Sequence, residues 1–370
     1  MSDNKVILVM SSETPQGLAG DQDLCDALRD HGIEPVMRSW DDPSVDWSEG
    51  RFAVLRSTPN YAHRREEFLK WARSVPKLLN TPEILEWNTD KHYLRELQKL
   101  GMPIIPTTWL EPERNLTKHQ VHSRFPAFGD FVVKPTISSG GRGVGRYTST
   151  SANSRREAIE HAMDLLSAGS GVMIQRYLEE VETQGEVSIV YYNGVISHTV
   201  QKGAMLHAAC EGPEPEQIVT ARYSSQEEWG WGEQVRRYIH DYIKLTSEHD
   251  TQVLYDRIDM VADGKGSYYV MEISLVEGNL YLDSAREAVE HFADAIIQRY
   301  YWSAGFSSAV EVYRTSSSTQ SKVRVTAFFH KRRVRSRSSG SMAGFHRWFS
   351  CQLLVTSAVP LQKPTAMPAA

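Results

Sequence analysis

Cysteine is scarce in this chain: Cys25, Cys210 and Cys351 stand far apart and form no CxxC pair. That excludes a disulfide framework and a cysteine-based zinc centre, and it fits buried or incidental thiols in a reducing cytoplasm. Long apolar runs are absent too. None approaches the roughly 18–20 residues of a membrane-crossing helix. The opening MSDNKVILVMSS is too short in its apolar part and too polar at its start for a secretory signal, and reads as a first strand. No internal repeat is evident. Acids nearly vanish at one end: from Tyr301 onward ten Lys and Arg face a single acid, Glu311. Residues 1–300 therefore hold 31 bases against 45 acids, a balance of −14. An acidic body is a poor nucleic-acid binder; it suits a small-molecule enzyme whose ligand charges are handled locally. Residues 301–370, with KRRVRSRSSG at 331–340, read as a basic, Ser/Thr-rich, disordered extension outside the catalytic fold.

What is present begins with two β-rich runs, KVILVMSS (5–12) and FAVLRST (52–58), apolar enough to be buried on both faces. Between them Asp21–His31 has helical apolar spacing and a stop at Gly32, and IEPVMRSW gives a second strand. Arg64–Val75 carries Phe68, Trp71, Ala72 and Val75 on one stripe. Strand–helix–strand order of this kind predicts a small open α/β domain over residues 1–85. Downstream, Asp90–Leu100 is an amphipathic helix with Asn88 or Thr89 as its cap. FVVKP (131–135) is a strand, Ser154–Ala168 a helix and VMIQRYL (172–178) another strand. EVSIVYYNGVISHTVQKG (186–203) is a hairpin about Asn193-Gly194, a strong two-residue turn signal. Residues 253–275 form a second hairpin about Asp263-Gly264, and Asp283–Arg299 a closing helix.

The second hairpin carries the chemistry. Asp259 and Glu272 lie symmetrically about its turn, so simple register places them opposite each other with β-carbons roughly 4.5–5.5 Å apart. Arg257 pairs with Ser274 by the same symmetry. One face is then Arg257, Asp259, Glu272 and Ser274; the other is Ile258, Met260, Met271 and Ile273. Two carboxylates so close need a positive partner, either a magnesium ion or the Arg257 guanidinium. The segment SSGGRGVGRY (138–147), with Ser139, Gly140 and Gly141 at its start, offers close backbone approach and amide donors for phosphates. Its spacing is neither that of a GxxxxGK[ST] phosphate loop nor of a Rossmann turn. Lys134 ends the strand just before it. Lys91 and Lys202 would be unremarkable alone.

Taken in order, WNTDK, VVKPTISSGGRG, IQRYLEEVETQGEVS, VQKGAM, DRIDMV and MEISLVEGNLYLD resemble the ATP-grasp superfamily over nearly all of residues 1–300. The glutathione-synthetase-like branch is the most similar. LRSTPNY, LLNTPEILEWNTDK and TQGEVSIVYYNGVISHTVQKG resemble the bacterial group of D-cycloserine-forming cyclo-ligases, which close O-ureido-D-serine using ATP. The resemblance implies a pre-ATP-grasp α/β domain (1–85) followed by a two-lobed α+β ATP-grasp domain (86–300, lobes about 86–170 and 171–300).

It also implies roles. Lys91 and Lys134 would contact ATP phosphates beneath the 138–145 loop. Gln175, Arg176, Tyr177 and Leu178 would form the hinge against adenine, and Glu186 would hold the ribose. Lys202 and Arg257 would stabilise the transferring phosphoryl group. Asp259 and Glu272 would bind Mg²⁺, with Mn²⁺ the alternative ion. Ser274 stands where the family usually has a metal-binding Asn or Glu, and a neutral hydroxyl is a weaker ligand for a hard cation. Arg56 and Tyr61, near the end of a first-domain strand, and Asn279, after the metal strand, are substrate candidates; a surface salt bridge is the competing reading of Arg56. The expected partners are ATP and a small amino-acid-like substrate, with no membrane or nucleic acid, and a homo-oligomer is compatible with the chain. The expected chemistry is a carbon–nitrogen ligation through an acyl-phosphate. The rival is an ATP-grasp fold that holds nucleotide without turnover.

Overall fold

The run KVILVM forms β1 (Lys5–Met10), buried along nearly its whole length because α1 (Asp21–Asp30) and α2 (Arg65–Ser74) leave no face to solvent. This is a computed structural model, in which residues 4–206, 217–246, 253–276, 279–285, 287–303, 311–314, 323–329 and 351–356 are described. With β2 (Glu34–Ser39), β3 (Ala53–Leu55) and β4 (Leu78–Leu79), β1 makes a parallel sheet of order β2-β1-β3-β4. The order reverses about β1 and β3, the kind of switch point at which open α/β sheets bind ligands. Phe68, Leu69 and Ala72 of α2 pack on Ile7, Val9 and Leu55.

Two short helices follow, α3 (Pro82–Asn88) and α4 (Tyr93–Lys99). Neither expected cap holds here. Asn88 is the last residue of α3, and Lys91 lies in the link ahead of His92, the N-cap of α4. The next lobe is an antiparallel sheet of order β5-β8-β6-β7, built from β5 (Thr107–Leu110), β6 (Asp130–Pro135), β7 (Gly145–Thr148) and β8 (Val172–Arg176). The short α5 (Lys118–His122) and the longer α6 (Ala152–Ser167) cover one face, burying Val121, Ala158 and Ala162 against Phe131, Val133 and Ile174.

After α7 (Glu180–Gln184) come β9 (Glu186–Tyr192), β10 (Val195–Lys202) and β11 (Val219–Arg222). Asn193 and Gly194 both have positive φ, 46° and 84°, as a tight two-residue hairpin turn demands. The 21-residue α8 (Gln226–Thr246) then leads to β12 (Tyr255–Ala262) and β13 (Tyr268–Ser274). The sheet order is β11-β10-β9-β12-β13. Alternation sends Val187, Ile189, Tyr191, Ile258, Met260 and Ile273 to one face, where Val235, Ile239 and Ile243 of α8 cover them. Each such fully buried aliphatic side chain contributes about 1.5–3 kcal/mol.

The pairing expected of the second hairpin is present: Asp259 faces Glu272, Ile258 faces Ile273 and Arg257 faces Ser274. One residue on, the ladder shifts, and Met260 pairs with Val270. Met271 is therefore displaced from the face expected for it and packs toward Val181 and Val261 instead. β13 is an edge strand, yet its backbone does not go unpaired. The Tyr93 hydroxyl accepts from Ile273 N at 2.9 Å, and Asn88 Oδ1 accepts from Leu275 N at 2.8 Å. Asn80 Nδ2 donates to Leu275 O at 2.7 Å. Side chains of the α3–α4 region thus stand in for a missing strand.

The closing helix α9 (Ala288–Ser303) starts later than expected and buries Ala288, Phe292, Ala295 and Ile296. A second unit runs from Arg299, and its described strands β14 (Glu311–Arg314), β15 (Val323–Phe329) and β16 (Cys351–Thr356) pair antiparallel in that order. Most of the extension expected to be disordered, including 331–340, lies outside the described residues, as does Cys210. Among the described residues no helix is long and apolar enough to cross a membrane.

Candidate active site

The face of the five-stranded sheet opposite α8 is polar, and register explains which side chains meet there. One cross-strand row reads Val200, Ser188, Asp259, Glu272; the next reads His198, Val190, Arg257, Ser274; Lys202 pairs with Glu186 at the margin. Gly185, at φ 73°, lets β9 start directly under Lys202: a Cβ there would collide with the Lys202 carbonyl oxygen. Six of the sequence-derived residues, Glu186, Lys202, Arg257, Asp259, Glu272 and Ser274, are thereby on one surface.

Asp259 is its electrostatic centre. Its Oδ1 accepts from Ser188 Oγ at 2.6 Å and Arg257 Nε at 2.9 Å; its Oδ2 accepts from Arg257 Nη2 at 2.8 Å and Lys202 Nζ at 3.3 Å. Burial alone would raise its pKa, but the Arg257 and Lys202 charges outweigh that and hold it well below the usual carboxylate range. Conversely, burial disfavours the Lys202 ammonium, while Asp259 and Glu186 (2.8 Å away) over-compensate and raise its pKa. Arg257 is held charged in the same way by Asp259. Burial also opposes charge on Glu272, yet Lys91, 3.4 Å away, keeps its pKa lowered.

The other lobe faces this surface with two lysines. Lys91 Nζ donates to the Ser138 carbonyl at 3.0 Å and Oγ at 3.2 Å as well as meeting Glu272, so it joins the glycine-rich loop to β13. Lys134, partly exposed at the end of β6, makes no hydrogen bond or ion pair among the described residues. Burial first, then the Lys91 charge, lowers its pKa from 10.5 to about 8. Glu272 and Glu186 offset that only in part, and among the described residues neither reaches the ammonium as an ion pair. The loop itself has Ser139 buried, Gly140 and Gly141 in the left-handed region, and Arg142 paired with Glu13 of the first domain at 2.9 Å. A side chain at Gly141 would collide with Met205 Sδ, 2.7 Å away.

Of the expected hinge, Gln175 Nε2 donates to Thr107 Oγ1 at 2.8 Å and Arg176 turns outward over Phe128. The Tyr177 amide donates to Asp130 O at 3.0 Å, and its ring carries the Arg146 guanidinium at 3.6 Å. The Leu178 amide has no partner among the described residues.

The substrate candidates divide. Tyr61 Oη approaches Ser138 O at 3.5 Å, and the Asn279 carbonyl accepts from Arg257 Nη1 at 2.9 Å, so both join the cluster. Arg56 does not. Its Nε donates to Asp21 Oδ1 at 2.6 Å and its guanidinium lies 5.2 Å from the Phe292 ring centroid; both partners of this ion pair are buried. The carboxylate that Arg56 holds is the protein's own, and the pair is interior, not on the surface. Sequence reasoning missed Ser188, although alternation along EVSIVYY places it beside Glu186, and missed Tyr93 and Asn88, whose hydrogen bonds fix the strand bearing Glu272 and Ser274.

Magnesium needs oxygen ligands. Asp259, Glu272 and Ser274 supply that chemistry on neighbouring strands, and Glu272 has one oxygen beyond its contact with Lys91. Asp259 already receives four hydrogen bonds, about as many as a carboxylate accepts. Among the described residues no group of three His, Cys, Asp or Glu side chains forms a metal site. The oxygen chemistry of Asp259, Glu272 and Ser274 fits a Mg²⁺ ion, which these residues would hold.

Residues 6–80 match the family described as D-cycloserine synthetase DcsG, N-terminal domain. The chain is 31% identical over 284 residues to the cycloserine biosynthesis protein DcsG of Streptomyces lavendulae, spanning 75% of this chain and 92% of that protein. The crystal structure of D-cycloserine synthetase DcsG superposes with a TM-score of 0.69 at 29% identity, covering 80% of this chain and 99% of that one. The D-alanyl-alanine synthetase A of Vibrio cholerae shares the fold at a TM-score of 0.59 and 16% identity, covering 82% and 99%. The chain belongs to the D-cycloserine synthetase family of ATP-grasp enzymes and is an ATP-dependent carbon–nitrogen ligase.

Proposed function

We propose that this protein is a Mg²⁺-dependent cyclo-ligase acting on an amino-acid-like substrate of the O-ureido-D-serine type. The observation that supports it best is the charge inventory of one cluster. Lys91, Lys134, Lys202 and Arg257 face Glu186, Asp259 and Glu272, and one of the four cations, Lys134, is in no contact ion pair among the described residues. A triphosphate supplies the missing negative charge.

In this reading the γ-phosphoryl passes to the substrate carboxylate, giving ADP and an acyl-phosphate. A nitrogen of the same substrate then attacks the acyl carbon, loses its proton, and phosphate departs. Lys91 and Lys134 hold the phosphates, Lys202 and Arg257 neutralise the group in flight, and Leu178 N–H meets the adenine edge. Glu186 holds the ribose. Asp259 and Glu272, with Ser274 beside them, would hold Mg²⁺, which supplies charge neutralisation at the β- and γ-phosphates. Tyr61 and Asn279 border the space left for substrate.

The test is ADP release with ATP, Mg²⁺ and O-ureido-D-serine, set against free amino acids and dipeptides, with products identified by mass spectrometry. A ring product with substrate-stimulated ADP release is expected. Tight ATP binding without stimulated turnover on any of these would instead favour a nucleotide-holding protein, the reading that Ser274 and the fully engaged Asp259 carboxylate speak for.

A further inference from the structure

β10 is not a regular strand. Its pairing with β9 shifts between Ile196 and His198, so Ser197 is an inserted residue and the strand beyond it is re-aimed. The shift places His198 on the polar face, in the same cross-strand row as Val190 and Arg257. From that row two donors rise to consecutive carbonyls of one segment. Arg257 Nη1 donates to Asn279 O at 2.9 Å, and His198 Nε2 lies 2.8 Å from Leu280 O. A carbonyl can only accept, so the His198 proton is on Nε2 and Nδ1 is an acceptor. Ser197 Oγ stands 2.9 Å from His198 Nδ1 and 3.0 Å from His291 Nδ1. The hydrogen bonds then run in one direction: His291 Nδ1–H to Ser197, Ser197 O–H to His198, His198 Nε2–H to Leu280. Burial favours the neutral ring, lowering the His198 pKa from 6.5 to about 4.

The segment so held is under constraint. Tyr281 has φ 52°, a left-handed conformation that bulky side chains seldom adopt, and its amide is tied to Asn279 Oδ1 at 2.8 Å. Its ring centroid lies 5.7 Å from the Arg257 guanidinium carbon. An unfavourable backbone geometry beside a reacting group persists only where neighbours enforce it.

We propose that His198 is a positioning residue for the ligation: its Nε2–H fixes the Asn279–Tyr281 segment, and through that segment the orientation of Arg257 and the ring of Tyr281. This rests on the reading of Arg257 as a phosphoryl-contacting group. The bulge at Ser197 exists, in this account, to turn His198 toward Leu280.

The full-length protein with His198→Phe and His198→Gln tests it. Phe keeps the size of the ring and deletes the donor; the Gln amide can still donate to Leu280 O. His198→Phe should raise hydrogen exchange of the 279–285 segment and lower kcat about tenfold, with the KM for ATP within twofold of the parent. His198→Gln should recover most of both. Unchanged exchange and kcat in the Phe variant would overturn the proposal, and so would a Gln variant no better than Phe. A variant-free check is the ¹⁵N spectrum of histidine-labelled protein at pH 7, where His198 should show the neutral Nε2–H tautomer; a Nδ1–H or cationic ring refutes it. If the parent protein fails to turn over every candidate substrate, the cyclo-ligase reading falls, while exchange and tautomer still decide the role of His198.

Discussion

Replacing Lys134 by Met separates what the site costs the fold from what it contributes to binding. Lys134 is a partly buried ammonium whose side chain makes no hydrogen bond or ion pair among the described residues; burial and the Lys91 charge outweigh the pull of Glu272 and Glu186, and its pKa falls from 10.5 to about 8. At about 1.4 kcal/mol per pH unit, that fall is a penalty of roughly 3 kcal/mol, trimmed to about 1–2 kcal/mol because the side chain keeps some contact with water. The folded state binds the proton less tightly than the unfolded chain, whose lysine is ordinary. The penalty is therefore complete below pH 8 and is relieved as pH rises from about 8 toward 10.5. Met keeps the aliphatic stem and removes the charge, so the ATP-free variant should be more stable at pH 7, by about 1–2 kcal/mol in urea denaturation, and should lose the gain in stability above pH 8.

Binding moves the other way. If triphosphate supplies the missing anion, only the protonated lysine serves, and ATP affinity in the parent should weaken about tenfold between pH 7 and pH 9. Lys134→Met should bind ATP far more weakly, with no such slope. Calorimetric titration with a non-hydrolysable ATP analogue at both pH values decides it. A variant less stable than the parent, yet still protected by ATP, would refute the reasoning: Lys134 would then be a packed structural residue whose charge is already satisfied.

Two further outcomes follow from the same surface. Tyr93→Phe should cost about 1–3 kcal/mol in denaturant unfolding, since it orphans the buried Ile273 N–H, and should lower kcat by loosening the strand bearing Glu272 and Ser274; a loss below about 0.5 kcal/mol would show that the edge is held otherwise. Ser274→Asn exchanges a hydroxyl for a carbonyl oxygen, a better ligand for a hard cation. It should reduce the Mg²⁺ concentration for half-maximal ADP release about threefold or more, and an unchanged Mg²⁺ dependence would remove Ser274 from the metal site.

Much of this site was legible because strand geometry is short-ranged. A period of two and a tight turn determine which residues face one another across a hairpin, so the pairing of Asp259 with Glu272 and of Arg257 with Ser274 followed from counting outward from ADGKGS. The same counting failed one step later, at Met271, because a bulge obeys contacts from outside the hairpin. The bulge at Ser197 is likewise silent in the sequence. α8 was not among the expected helices, although its sequence carries the signals: Ser225 Oγ accepts from Glu228 N at 3.1 Å and Glu228 Oε2 accepts from Ser225 N at 2.7 Å, a capping box ahead of Val235, Ile239 and Ile243. Arg56 shows the opposite limit. Its partner is 35 residues away on another element, and nothing local separates a buried ion pair from a substrate clamp.

The distribution of charge explains why so self-satisfied a cluster can still be a reaction site. Arg257 and Lys202 neutralise Asp259, and Lys91 neutralises Glu272, so among the described residues no carboxylate on the face is left bare. Such pairs are costly to break singly, because the remaining charge is stranded in a poorly solvated place. On the proposed reading a triphosphate changes that arithmetic, since it would offer the same cations a stronger anion and return carboxylate oxygens to use. Lys202 is the contact most readily exchanged: it stands 3.3 Å from Asp259, against 2.8 Å for Arg257 Nη2, and it keeps Glu186 at 2.8 Å as a second partner. On the proposed reading, nucleotide and divalent ion are thus coupled through one ammonium.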